Sequence, residues 1–377
     1  MIPLSVPNLK GNEEKYVLDA VRTEWVSTGG GYINQFEKNI AKYLNVEQAV
    51  ACQSGTAGLH LALIACDVTC EDEVIVPTLT FIAAVNPIKY LGATPIFMDC
   101  DNSLCMDMEK LEDFLQTQCD IQNDKLVNKA TGKIIKAVVV VHVFGNLANM
   151  EKLVELSKKF GFKIIEDATE ALGTYQLNNK KFAGTFGDFG VFSFNGNKII
   201  TTGGGGMIVS NDTKKLNYIK YLSTQAKDDE LNYIHNDVGY NYRMTNLQAA
   251  LGVAQLEQLE NFIATKKNNY AIYKEETRTS SEIKLLNFRE DIRPNYWFYS
   301  LLLENETPTN MINICQQNKI QVRPIWGLIH EQKPYKNCEA YKIEKAKYYQ
   351  KKIINIPCSS NLTKEEVLLV VQVLVKG

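Results

Sequence analysis

Short apolar runs alternate with amphipathic stretches along the first two thirds of the chain. The runs Gln48–Cys52, Glu73–Pro77, Pro95–Met98, Ala137–Phe144 and Lys163–Glu166 predict strands. Ile33–Leu44, Leu59–Ala65, Glu109–Leu115 and Glu151–Phe160 predict the helices between them, and Glu13–Arg22 predicts one ahead of the first strand. Ala137–Phe144 is valine-rich and almost unbroken, as expected of a strand covered on both faces. This alternation implies an α/β fold, a mostly parallel sheet with helices on both sides. In such sheets ligands gather at the carboxyl ends of the strands. Thr56, Phe81, Asp167 and Lys198 all stand at or just past predicted strand ends, so one crevice can hold them.

The most informative stretch runs from Gly187 to Lys198. It is apolar and aromatic, bounded by glycines, and reads as a buried strand with one lysine beyond its end. Four glycines, Gly203 to Gly206, follow, and then a second apolar run, Met207–Val209. A lysine held between a buried strand and such a turn can be partly desolvated, which lowers its pKa and frees the amine as a nucleophile. Earlier, Ser54-Gly55-Thr56-Ala57-Gly58 joins a strand to a helix start, a place suited to a phosphate. It has neither the dinucleotide glycine fingerprint nor a P-loop lysine.

After Asn211 the pattern turns helical. A polar-aromatic loop, Gly239 to Met244, leads into a predicted helix over Thr245–Phe262, and a strand is expected over Tyr296–Leu303. Thr363 and Glu366 form a capping box at the last helix. A polar insert between Cys119 and Lys136, with Thr131-Gly132 as its turn signal, predicts a surface hairpin. The division expected is a large α/β domain over 1–250, with an extended arm at 1–12, and a small C-terminal α+β domain over 251–377.

Net charge is −2 and the isoelectric point is near 6.2, which gives no sign of a nucleic-acid partner. The nine cysteines are scattered, without zinc spacing, and read as reduced thiols. No apolar run is long enough for a membrane span and no signal peptide is evident, so a cytoplasmic location is expected.

An amine, a carboxylate, a phosphate-accepting turn and an aromatic ring in one crevice suit pyridoxal phosphate. Its aldehyde takes a lysine, its ring nitrogen an aspartate, and its ring face an aromatic side chain. Taken singly each residue has a plainer use: Asp167 as a helix cap, Phe81 as core, Asn241 in a turn. The motifs taken in order add to this. Ser54-Gly55-Thr56-Ala57, Glu166-Asp167-Ala168, Phe192-Ser193-Phe194 with Lys198, the glycine run, and Gly239-Tyr240-Asn241-Tyr242-Arg243 before Gln248-Ala249-Ala250-Leu251-Gly252 follow one another along the chain. In this the chain resembles the DegT/DnrJ/StrS-type sugar-nucleotide aminotransferases, of pyridoxal-phosphate fold type I, over nearly its whole length.

The resemblance implies roles. Lys198 would bind the cofactor covalently and shuttle the proton. Asp167 would pair with the pyridinium, and Phe81 would stack on the ring. Thr56, Ala57 and Ser193 would hold the phosphate, and Glu170 would stand where relatives carry Gln or His beside the ring oxygen. Asn241 would reach the phosphate of a neighbouring subunit, making the active unit a homodimer, and His330 would lie near the sugar. The opening segment Met1 to Glu13 and the insert Asn128 to Lys133 look like the subgroup on legionaminic-acid and bacillosamine-type pathways. That likeness implies L-glutamate as donor and a nucleotide-linked 2-acetamido-2,6-dideoxy-4-hexulose as acceptor, aminated at C4 with gluco configuration. UDP and GDP both remain open. An amino-acid aminotransferase, or a 4-keto-sugar aminotransferase of another pathway such as perosamine, is the alternative.

Overall fold

The computed structural model describes residues 1–376. Seven strands make the body of its main sheet: β1 (Gln48–Cys52), β2 (Asp72–Pro77), β3 (Thr94–Met98), β4 (Ile134–Val141), β5 (Lys163–Asp167), β6 (Phe189–Ser193) and β7 (Gly206–Ser210). Their order is β1-β7-β6-β5-β4-β2-β3. From β6 to β3 every neighbour is parallel, and β7 alone runs antiparallel to both of its neighbours. Ala340–Tyr341 extends the β3 edge.

The centre of the sheet is covered on both faces, as the valine run predicts. Val138 and Val140 of β4 pack into one apolar cluster, while Ala137 and Val139 pack into another on the opposite face. That split follows from the two-residue period of a strand. The helix Met150–Phe160, capped by the Asn149 side chain on Lys152 N–H at 3.2 Å, crosses from β4 to β5. It stops at Gly161, whose φ of +83° suits glycine best.

The polar insert forms two hairpins: Thr131-Gly132 makes the expected turn, between Lys125–Asn128 and the antiparallel start of β4, and Asn123-Asp124, both with positive φ, turns Cys119–Gln122 into Lys125–Asn128. Two expectations are corrected. The helix begun by the Thr245 capping box runs unbroken over Asn246–Glu276, 31 residues, so the boundary expected after residue 250 falls inside it. Its first turns pack with Phe36 and Ile40, and its last with Tyr299. The strand expected from Tyr296 begins at Tyr299, because Tyr296 has a φ of +57° and breaks the extended run.

The C-terminal part holds a four-stranded antiparallel sheet of Ile283–Leu285, Tyr299–Leu303, Ile353–Ile356 and Arg323–Pro324, backed by helices Pro308–Gln317 and Lys364–Lys376. The N-terminal arm docks on this part: Ile2 bridges Ile320, and Leu4 O accepts the Cys358 N–H at 2.9 Å. The Thr363–Glu366 capping box is present, with bonds of 2.9 and 3.2 Å.

Candidate active site

The carboxyl ends of β1, β5 and β6 surround a cavity of about 390 Å³. Thr56, Phe81, Asp167, Glu170, Ser193 and Lys198 line it. The C-terminal part closes one side with Trp297, Phe298 and Trp326.

Lys198 sits in the loop between β6 and β7, its backbone N–H bonded to Asn195 O at 3.0 Å. Its Nζ lies 3.8 Å from Glu170 Oε1 and 4.1 Å from the centre of the Trp297 ring. Burial pulls the ammonium pKa below its ordinary value, against the opposing charges of Glu170 and Asp167. A fraction of neutral amine is therefore present at lower pH than for a lysine in water.

The two acids ending β5 point opposite ways. Glu166 takes the Gly184, Phe186 and Gly187 N–H groups and the His142 ring, at 2.5 to 2.9 Å, and so fixes the loop that feeds β6. Asp167 lines the cavity, and its carboxylate accepts the Thr169 N–H at 3.1 Å. Burial raises its pKa, offset in part by Thr169 and by the Lys198 charge. A cation placed in the cavity would favour its ionised form. Glu170, two residues beyond Ala168, is buried and pushed up to about 7 by desolvation, although Lys198 and the Phe144 N–H oppose the shift.

The helix Gly55–Ala65 aims its N-terminus at the same space. Ser54 Oγ caps it by accepting the Ala57 N–H at 3.1 Å. Gly55 and Thr56 line the cavity, and their N–H groups precede the first intrahelical donor, Gly58, and have no intrahelical acceptor. A Cβ on Gly55 would stand 2.9 Å from Thr169 Cγ2 and 3.1 Å from Ser193 Cβ, so this approach needs glycine. Phe81, in extended backbone four residues past the end of β2, shows 55 % of its surface although it lines a cavity.

Three expected residues stand outside this cluster. Ala57 is buried and its N–H caps the helix, so it offers no free donor. His330 is not among the residues lining the cavity, and its Nδ1 pairs with Thr78 Oγ1 at 2.6 Å. Asn241 is exposed, paired with Thr224 beside the hairpin Lys227–Asp229 and Ile234–His235. Sequence reasoning missed Trp297 and Trp326. The aromatic triplet Tyr296-Trp297-Phe298 is the visible signal, but the apolar pattern merges it into the strand expected over Tyr296–Leu303.

The residues fit pyridoxal phosphate. A desolvated amine, a buried carboxylate with a single backbone partner, an open helix N-terminus and a half-exposed aromatic face match the groups that the cofactor presents. Residues 7–375 match the DegT/DnrJ/EryC1/StrS aminotransferase family. The chain belongs to this family. It is a pyridoxal-phosphate-dependent sugar aminotransferase. It is 39 % identical to the GDP-perosamine synthase of Escherichia coli O157:H7 over 371 residues, which cover 98 % of this chain and 96 % of that one. It is 28 % identical to the UDP-4-amino-4,6-dideoxy-N-acetyl-beta-L-altrosamine transaminase of Campylobacter jejuni subsp. jejuni serotype O:23/36, covering 96 % and 93 %. The solved aminotransferase TlmJ from Streptoalloteichus hindustanus shares the fold, with a TM-score of 0.90, 23 % identity and coverage of 100 % and 98 %. Among the described residues no helix is long and apolar enough to cross a membrane, and no cluster of three His, Cys, Asp or Glu is placed to hold a metal.

Proposed function

We propose that this aminotransferase moves an amino group from L-glutamate to the C4 ketone of a GDP-linked 4-keto-6-deoxy sugar, giving a perosamine-type product. The observation that carries this reading is the 39 % identity to a GDP-perosamine synthase across almost the whole of both chains. The 2-acetamido sugar expected from the opening segment has the weaker support of the 28 % relative.

Bound pyridoxal phosphate supplies an electrophilic carbon and a cationic ring that draws electrons from the bond being broken. The residues of the chain do the rest. Gly55 and Thr56 at the helix N-terminus, with the Ser193 hydroxyl, hold the phosphate. Phe81 covers one face of the ring, and Asp167 keeps the ring nitrogen cationic. Lys198 Nζ takes the proton from donor carbon and delivers one to acceptor carbon, helped by burial that favours its neutral form. Trp297, Phe298 and Trp326 keep water from the amine side. Asn241 lies on the surface of its own subunit and serves the site of a second copy, so the working unit is a homodimer.

The test is an assay with L-glutamate and either GDP-4-keto-6-deoxymannose or UDP-2-acetamido-2,6-dideoxy-4-hexulose, with product configuration read by NMR. Turnover of the GDP sugar alone is expected. Turnover of the UDP acetamido sugar alone would move the protein to the other pathway class, and exchange only between glutamate and keto acids would remove the sugar reading.

A further inference from the structure

Trp297 comes from the C-terminal part, yet it makes two contacts at the reacting lysine. Its indole Nε1–H donates to Asn197 O at 2.8 Å, the carbonyl immediately before Lys198. Its ring face lies 4.1 Å from Lys198 Nζ. Asn197 is itself exposed; the loop is closed at its base by Thr202 N–H to Phe194 O at 2.9 Å, but at its tip the Asn197 carbonyl has only the indole and a Ser5 hydroxyl at 3.4 Å as donors among the described residues.

Trp297 is in turn held rigidly. Its ring stacks on Phe298 at 4.1 Å with the planes 5° apart. Its backbone N–H donates to Asn295 Oδ1 at 2.9 Å. Asn295 is fully buried, and its Nδ2 reaches both Glu170 O and Leu172 O at 2.9 Å. A Cβ on Gly145 would fall 2.0 Å from Asn295 Oδ1, so the packing there leaves no slack. One amide thus ties the tryptophan to the segment that carries Glu170.

We propose that Trp297 is a positioning residue for Lys198, pinning the loop through the Asn197 carbonyl and offering its π face to the ammonium form of the amine. A proton relay needs both protonation states of one amine. Burial favours the neutral state, whereas the electron-rich ring favours the charged one. The charged groups facing the amine are Glu170 and Asp167. Unlike these carboxylates, the ring stays attractive to a cation at every pH. The inference rests on Lys198 being the reacting amine, and it does not depend on which sugar is the substrate.

The test reads the lysine directly. Cofactor-free enzyme is treated with an amine-reactive reagent across a pH series, and the modification rate at Lys198 is followed by peptide mapping. Trp297→Leu should lower the pH midpoint by about one unit, the size expected for a partly desolvated cation–π contact. Trp297→Phe should keep most of the midpoint but speed hydrogen exchange at the Asn197–Lys198 amides and lower kcat by about tenfold, with KM little changed. A Trp297→Leu protein that melts like wild type with an unmoved midpoint would overturn the proposal. Should Trp297→Leu not fold, Trp297→Phe with unchanged amide exchange and unchanged kcat would overturn it equally. Because labelling uses cofactor-free enzyme, failure of the sugar assignment leaves this result readable.

Discussion

The Phe144 N–H donates to Glu170 Oε2 at 2.8 Å, which leaves Glu170 Oε1 turned to Lys198 Nζ, 3.8 Å away. The donor stands in an unusual turn. Phe144 has a φ of +55°, a left-handed conformation that a bulky residue adopts only when its surroundings impose it. The Phe144 ring is held against Trp326 with centroids 4.6 Å apart, and the next residue, Gly145, is fixed against Asn295. A strained turn therefore fixes which oxygen of Glu170 meets the amine.

The Glu170 carboxyl gives a pH prediction for stability. Burial raises its pKa from 4.5 to about 7. Between those values the folded protein keeps a proton that the unfolded chain has released. Stability from this group is full below the lower value and is lost as pH rises through the upper one, by about 3 kcal/mol in all. Glu170→Gln has no proton to lose. Denaturant titrations of cofactor-free wild type and Glu170→Gln should diverge across this window, the variant gaining on wild type by roughly 3 kcal/mol as pH rises. A difference that stays constant with pH would show a carboxyl that ionises as in water.

Lys198 gives a chemical prediction. Borohydride reduction of the cofactor-loaded enzyme should fix the label on the peptide that contains Lys198. Lys198→Ala should fold, since the side chain lines an open cavity and its removal leaves no sealed void. Its turnover should fall by about 10²- to 10⁴-fold or more, the usual contribution of a positioned proton carrier. A label on another lysine would assign the amine elsewhere.

Much of this site was legible because it lies where α/β topology forces ligands to gather. Asp167, Thr56 and Ser193 end or follow strands, and a period-two apolar pattern marks those ends well. Trp297 was not legible. Its place depends on the positive φ at Tyr296, which no periodicity reports, and on Asn295, whose four bonds reach residues more than a hundred positions away as well as its neighbour. The sequence pattern shows the long helix from Asn246 only as far as Phe262 for a physical reason. Its buried face continues through Ile263, Lys266, Asn269, Tyr270 and Tyr273, but two of these are polar and bond to the Cys358 and Leu362 carbonyls, so the apolar stripe fades before the helix ends. The turn at Thr131-Gly132 is legible from its glycine, whereas the second hairpin turn, at Asn123-Asp124, carries no glycine to mark it.

Gly190 in β6 is a backbone constraint. A Cβ there would lie 1.9 Å from Gly184 O, in the loop that Glu166 fixes. Backbone cannot swing aside as a side chain can, so relief requires moving the loop or the strand. Gly190→Ala should destabilise the protein by about 3 kcal/mol, at the upper end for overpacking. Gly196→Ala, where nothing lies within 4 Å, should cost far less. Equal melting temperatures for the two variants would mean that the loop yields without cost.

Asn241 allows a test of shared sites. It is exposed and outside its own subunit's cavity, while nearby Leu231, Tyr233 and Val238 show 84 %, 74 % and 78 % of their surface. Apolar side chains clustered in this way mark an interaction surface. If Asn241 serves a second copy, Asn241→Ala should weaken cofactor binding by about 10- to 100-fold, the value of one hydrogen bond to a charged group. At limiting cofactor, Asn241→Ala and Lys198→Ala should each be nearly inactive alone. In a mixed dimer, one site would pair an intact Lys198 with an intact Asn241 from the other copy, and the second site would carry both defects. Refolding the two variants together at equal amounts should therefore restore roughly a quarter of wild-type activity, since half the dimers are mixed and half of their sites are whole. No recovery, with mixed dimers present by mass spectrometry, would mean that Asn241 does not act across the interface.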